Sequence, residues 1–324
     1  MDDTVLRDFT GNMSVFPTGF TTARPHLDDV PEILTMLHAS DIATIGFPDF
    51  DESQVTEVLT ASGFDPEADS WLVRDPDGRL VCWGYLEDGD EEIFCEAYQH
   101  PDEADLQSTM IDLLTARAVR RAREKGMTEL RLAAGAVPGT EERYIGVLAE
   151  RGFLFTTQHA RMSRPLDGDE KAPVPPEDVV IRVMRPEELR QFDDIAVTTF
   201  KDTAHPLHRS FEEFQATLTG EVPWDEWLVC EVDGEMAGVL RSSNQALDRN
   251  EGWVRTLGVL PAHRGRGLAR MLLETAFSIY AEKGRVAVGL GVDTTNPTGA
   301  YRLYESLGMK PSYVANIYKQ TVTV

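Results

Sequence analysis

Two rhythms of apolar residues alternate along the chain, and the alternation comes round twice. Residues 71–73, 79–85 and 92–98 are apolar runs of strand length. The first two flank Asp77-Gly78, which predicts a hairpin followed by a further strand. Residues 20–24 read as a short strand before them. Elsewhere the period lengthens to that of an amphipathic helix. It does so at Val30, Ile33, Leu34 and Leu37, within 52–61, and over 106–125, where Gly126 ends the run. A strand over 129–133, a helix over 141–150 and one or two strands over 153–162 follow. Residues 1–17 carry little periodicity and read as an arm.

The stretch from Pro165 to Asp178 is rich in Pro, Asp, Glu and Lys, a linker composition. From Val179 the same order of elements restarts, with helices over 186–200 and 210–219, a hairpin, then alternating strands and helices. Residues repeat as well as patterns. Trp71-Leu72-Val73 ahead of Asp77-Gly78 returns as Trp227-Leu228-Val229 ahead of Asp233-Gly234, and Arg151-Gly152-Phe153 returns as Leu307-Gly308-Met309. The chain therefore reads as two successive copies of one α/β unit, 18–166 and 179–324, joined by a linker over 167–178. Strands alternating with helices predict a mixed sheet flanked by helices in each copy.

Composition sharpens this picture in two places. The 324 residues carry a net charge of -24, which argues against nucleic acid as a partner and suits a cationic amine, or simply solubility. No apolar run reaches the length of a membrane span, and the acidic start lacks a signal pattern. The cysteines, Cys82, Cys95 and Cys230, are odd in number and lack metal spacing, so they read as reduced core thiols of a cytoplasmic protein, and no metal site is expected. Against the acidic background, Arg264, Arg266 and Arg270 form a conspicuous basic cluster.

That cluster sits at a chemically suggestive turn. Residues 254–260 form a buried strand, Pro261 ends it, and Arg264-Gly265-Arg266-Gly267 leads into a helix beginning Leu268-Ala269-Arg270. A helix start offers unpaired N–H groups, glycines let backbone approach a phosphate, and arginines add forked donors: a diphosphate seat. It matches neither of the commonest phosphate loops. Arg264, Gly267 and Ala269, preceded by Val259 and Pro261, instead resemble motif A of the GNAT superfamily of acyl-CoA-dependent N-acyltransferases. Downstream, Asn296, Leu303-Tyr304 and Gly308 resemble motif B.

The resemblance implies a tandem GNAT, each copy a mixed, splayed sheet, with acetyl-CoA as co-substrate. It implies that backbone groups of Leu257, Gly258 and Val259 pair with the pantetheine arm, and that residues Arg264, Gly265, Arg266, Gly267, Leu268, Ala269 and Arg270 seat the diphosphate. Tyr304 matches the tyrosine that serves as general acid. Asn296 matches a pantetheine-contacting asparagine or caps the helix; Tyr301 is a lesser candidate for a cofactor contact. The strand position where many members carry a glutamate base holds Trp253. Glu251, on the same strand face, is the candidate base, acting through water, and Arg255 on that face is a candidate to orient an acidic substrate group. Asp202, His205 and His208 are polar candidates in the acceptor cleft.

Placing Pro101 on Pro261 sets Ala104, Gln107 and Thr109 against Arg264, Gly267 and Ala269; at the second motif, where Gly152 matches Gly308, Leu148 falls against Tyr304. Asp102, Glu103 and Asp105 would repel a diphosphate. The first copy thus reads as non-catalytic. The leading expectation is N-acetylation of a small-molecule primary amine, with no nucleic-acid or membrane partner and the oligomeric state open. A mycothiol synthase-like or an antibiotic- or toxin-modifying acetyltransferase, a protein-lysine acetyltransferase and a non-enzymatic acyl-CoA sensor remain alternatives.

Overall fold

The computed structural model describes residues 16–324 apart from 62, 90, 91, 202–206, 208, 219 and 296–298. Asn296, Asp202, His205 and His208 therefore lie outside the described residues. The chain divides into two compact units, one of residues up to 158 together with 315–324, the other of residues 159–314.

The first unit runs β1 (Thr21–Ala23), α1 (Val30–Ile45), α2 (Glu52–Thr60), α3 (Pro66–Asp69), β2 (Ser70–Arg74), β3 (Leu80–Asp88), β4 (Ile93–Gln99), α4 (Leu106–Glu124), β5 (Glu129–Ala136), α5 (Glu142–Glu150) and the start of β6 (Leu154–Pro165). Strands β1 to β4 are antiparallel neighbours, and β4 then runs parallel to β5 over only two residue pairs, ending at Phe94↔Ala133. Alternation along the strands splits the core between two faces. Leu72, Trp83 and Tyr85 pack with Ile33, Leu37 and Val55 of α1 and α2. Val73, Cys82 and Leu86 pack with Met110, Ile111 and Leu114 of α4 and with Leu148 of α5.

In the second unit the order recurs as β7 (Val179–Val183), α6 (Leu189–Phe200), α7 (Phe211–Ala216), β8 (Leu228–Val232), β9 (Glu235–Ser243), β10 (Glu251–Val259), α8 (Leu268–Glu282), β11 (Ala287–Asp293), α9 (Ala300–Ser306) and the start of β12 (Lys310–Thr323). Val229 and Val239 face Phe192, Ala196 and Phe214 of α6 and α7; Cys230 and Leu240 face Leu268, Leu272 and Leu273 of α8. Every element expected from the periodicity is present, with the strand over 153–162 forming as the single β6.

One arrangement departs from the contiguous copies expected at 18–166 and 179–324. Residues 159–165 of β6, the last strand of the first copy in sequence, pair antiparallel with β11 in the second unit, from His159↔Asp293 to Pro165↔Ala287. Residues 316–323 of β12 pair with β5 in the first unit. Each unit thus takes in residues of the final strand of the other copy. Hydrophobic pattern alone cannot distinguish the two pairings, because both final strands offer the same alternation to equivalent edges.

Candidate active site

In the second unit β10 and β11 run parallel over Glu251–Val254 only, the last pair being Val254↔Leu290. Beyond it they part, and a cavity of about 610 Å³ lies between residues 254–259 and 290–293, bounded also by Thr199, the start of α8, Leu303 and Tyr304. On its other side β10 stays paired with β9, with a register shift between Val254 and Thr256 that makes Arg255 the extra residue of a bulge. Arg255 lines the cavity and donates to Gln245 Oε1 (3.1 Å).

The strand edge facing the cavity is defined by alternation. The Leu260 N–H donates to the Ala237 carbonyl (2.9 Å), so Leu260 and Gly258 turn their backbone groups to β9. Those of Leu257 and Val259 face the side that β11 has vacated. Gly258 therefore serves differently from its expected pairing role: a Cβ there would lie 2.2 Å from Thr199 Oγ1, and its absence lets α6 close onto β10.

Where β10 ends, the chain turns into α8 with Gly265 and Gly267 both at φ 76°, a left-handed conformation that glycine adopts without strain. Gly267 is the N-cap, no side chain caps the helix, and nothing lies within 4 Å of where a Cβ would stand. The first N–H groups of a fifteen-residue helix are thus left to a ligand.

The arginines of this loop are occupied in a way that spacing did not disclose. Arg264 donates to the carbonyls of Val259 (3.1 Å) and Thr199 (3.3 Å), clamping strand, loop and the end of α6. Arg266 pairs with Asp178 and is not among the lining residues. Arg270 holds Glu274 (3.1 Å) and Ser306 Oγ (2.6 Å). The turn thus offers backbone N–H groups with positive charge nearby, while its guanidinium groups are bonded to the protein.

Tyr304 is buried on α9 and lines the cavity; burial pushes its phenol up to about 12. Tyr301, also on α9, is half-buried, packs against the core and is not a lining residue. The expectation for Glu251 meets a clear obstacle. Its carboxylate is buried and accepts from Arg161 (2.7 Å) and Ser163 (3.1 Å), and Glu251 does not line the cavity. The carboxylate is thus engaged by Arg161 and Ser163 rather than turned to the cavity.

Three titratable lining residues were missed by sequence reasoning: His159, His263 and Asp293. His263 Nδ1 is buried without a hydrogen-bond partner among the described residues. Asp293 Oδ1 accepts from the Thr295 N–H and Oγ1, both at 2.7 Å. The pairing of the two copies is also corrected. Asp105, with φ 66°, is the N-cap of α4 as Gly267 is of α8, and Leu106 matches Leu268. The loop after Pro101 is shorter than that after Pro261, so the alignment on proline slips.

A parallel strand pair parts around a cavity that has a glycine-led helix start at one end and a buried tyrosine on its wall, the arrangement expected from the motifs at 264–270 and 303–308. Residues 189–309, within the second unit, match the model of the acetyltransferase (GNAT) family. Two relatives are mycothiol acetyltransferases. That of Thermobispora bispora is 31% identical over 179 residues, 52% of this chain and 60% of that protein. That of Streptomyces griseus subsp. griseus is 29% identical over 254 residues, 75% of this chain and 77% of that protein. The match thus spans three fifths of the Thermobispora protein's length. The crystal structure of a GCN5-related N-acetyltransferase from Sphaerobacter thermophilus superposes with a TM-score of 0.80 at 21% identity, covering 96% of this chain and 98% of that one. This likeness extends the shared fold over both units. Among the described residues no helix is long and apolar enough to cross a membrane.

Proposed function

We propose that the chain is an acetyl-CoA-dependent N-acetyltransferase of small-molecule primary amines, with its chemistry in the second unit. The observation that carries this reading is the parted strand pair, whose cavity joins an uncapped helix start to a buried phenol. Acetyl-CoA fits the residues present. The diphosphate lies on the N–H groups from Gly265 to Arg270, and the pantetheine arm runs along the edge offered by Leu257 and Val259. The Val259 carbonyl is already held by Arg264, so the free N–H of that edge is its main contribution. The amine nitrogen attacks the thioester carbonyl carbon, the C–N bond forms and the C–S bond breaks. A backbone N–H of the edge stabilises the charge developing on the carbonyl oxygen. Tyr304 gives its proton to the departing sulfur. With its phenol raised to about 12 it stays protonated, and ready to donate, throughout the neutral range.

The first copy is non-catalytic in this reading. The two mycothiol acetyltransferases make the amine form of mycothiol the first acceptor to assay, within a panel of primary amines. Three buried free thiols suit a reducing cytoplasm. The test is calorimetric titration with acetyl-CoA followed by thiol release with the amine panel. One site per chain and turnover of at least one amine are expected. Tyr304→Phe should lower kcat by about 100-fold and leave acetyl-CoA affinity unchanged. Absence of acetyl-CoA binding would overturn the reading.

A further inference from the structure

We infer that His159, carried by the strand that the first copy lends to the second unit, is the proton acceptor for the amine, with Asp293 as the carboxylate that orients it. The inference rests on the transferase reading above. It answers a need the other residues leave open: β10 holds Trp253 and an ion-paired Glu251, so it supplies no available base.

Three observations converge on the pair. His159 and Asp293 are directly opposed in the antiparallel pairing of β6 with β11, so their side chains leave the same face of the sheet as neighbours. Both line the cavity that holds Tyr304 and the Leu257–Val259 edge. The rest of that face is arranged to keep this end open. Arg161, opposite Gly291, lies over the Trp253 ring (4.7 Å) and pairs with Glu251; Ser163, opposite Gly289, also holds Glu251. Gly289 has its space filled by Glu251 and Trp253. Gly291, next along β11 on this face, has nothing within 4 Å of a Cβ position and is exposed. One end of the row is therefore sealed by a buried ion pair, and the other is a bare glycine floor flanked by an imidazole and a carboxylate. An amine standing on Gly291 would have His159 and Asp293 at its side.

The step balances without another reactant. The neutral His159 imidazole takes one proton from the amine nitrogen as the C–N bond forms; Tyr304 gives one proton to sulfur as the C–S bond breaks. Asp293 stabilises the imidazolium. The imidazolium then loses its proton to solvent, and the tyrosinate regains one.

The test combines an equilibrium and a kinetic arm on the full chain. Histidine C–H resonances are followed through a pH titration in the wild-type chain and in Asp293→Asn. Besides Asp293, the titratable or charged residues that line the same cavity as His159 among the described residues are Arg255 on β10, His263, Arg264 and Arg270 at the α8 turn, and Tyr304 on α9, with Arg161 two residues further along β6. The asparagine variant keeps all of these, so removal of the carboxylate alone should lower the His159 midpoint by about one pH unit. An unmoved midpoint overturns the pairing, whatever the activity. In the kinetic arm, with acetyl-CoA and an amine that the wild-type chain acetylates, His159→Ala should lower kcat about 100-fold or more, and added imidazole should restore part of it. Unchanged acetyl-CoA affinity in His159→Ala and His159→Gln reports an intact cavity. If His159→Ala turns over like the wild type, the base assignment alone is wrong. If the wild type acetylates no amine at all, the transferase reading fails with it.

Discussion

The two copies start the same helix in opposite ways. In each, a residue with left-handed backbone leads into a buried leucine: Asp105 into Leu106 on α4, Gly267 into Leu268 on α8. In the first unit the chain then satisfies itself. Gln99 Oε1 accepts from the Gln107 N–H (3.0 Å), and Gln107 Nε2 donates to the Ala97 carbonyl (2.9 Å), beyond the point where β4 and β5 part. Asp105 adds a carboxylate held by Arg143. In the second unit, among the described residues, no side chain caps the helix start, and a cavity lies beside the parted strand edge, of which only the Val259 carbonyl is met, by Arg264. Fold alone therefore does not make a binding site. The two units share an element order but differ in whether side chains of their own meet the helix start and the neighbouring strand, as Gln99 and Gln107 do in the first.

The strongest way to break this contrast is to give the second unit the first unit's residue. Asp105 demonstrates that aspartate tolerates the left-handed N-cap, and the space around Gly267 is open, so Gly267→Asp should fold normally. A carboxylate set against a diphosphate costs several kcal/mol. The acetyl-CoA dissociation constant should rise by about 100-fold in calorimetry. Unimpaired binding would show that the diphosphate lies elsewhere.

A second contrast concerns buried charge. The first unit has a half-buried carboxyl, Glu96 on β4, beside the Tyr98 ring. Burial, with a smaller push from Glu87, raises the Glu96 carboxyl to about 7, although the Tyr98 hydroxyl bonded to it (2.8 Å) acts the other way. Burial also raises Asp41 and Glu141. A carboxyl raised on folding stabilises the folded state fully below its ordinary value near 4.5, and that contribution disappears as pH climbs to about 7. For Glu96 the loss is at most on the order of 3 kcal/mol. Thermal melts of the wild-type chain at pH 5 and pH 8 should differ by roughly 5 °C or more in the transition of the first unit, the acidic sample being the more stable. In Glu96→Gln this difference should shrink. Equal shrinkage in none of the melts would assign the pH dependence to Asp41 or Glu141 instead.

What the sequence made legible was whatever depends on neighbours along the chain. The repeat, the element order and the glycine-led turn at 264–270 are local, and each is found where periodicity and spacing put it. Tyr304 was legible because its motif is contiguous. Properties that depend on pairing were not. Residues 153–162 read as one or two strands, but nothing in their alternation said which edge they would join, so His159 was not associated with Asp293. Glu251 looked available because its partner, Arg161, is remote in sequence. Arg264 looked like a phosphate ligand because carbonyl acceptors leave no trace in composition. The proline-anchored overlay of the copies slipped because loop length, unlike helix phase, carries no periodic signal.

The smallest expected effect is the most discriminating, because it asks how many changes separate the two copies. Asp105→Gly removes the carboxylate and the left-handed strain of a side-chain-bearing residue, and it loses the ion pair with Arg143, both of whose partners are exposed. An exposed pair contributes little, whereas relief of a left-handed residue is worth about 1 kcal/mol. The first unit should therefore become more stable by about 1 kcal/mol or less in denaturant melts, and its α4 start should come to resemble that of α8 in backbone and charge. Calorimetry should still count one acetyl-CoA site per chain, because Gln99 continues to occupy the Gln107 N–H and Gln107 the Ala97 carbonyl. A second site in this variant would mean that the aspartate alone keeps acetyl-CoA out. If the count stays at one, exclusion from the first unit also rests on the glutamines that fill its splay.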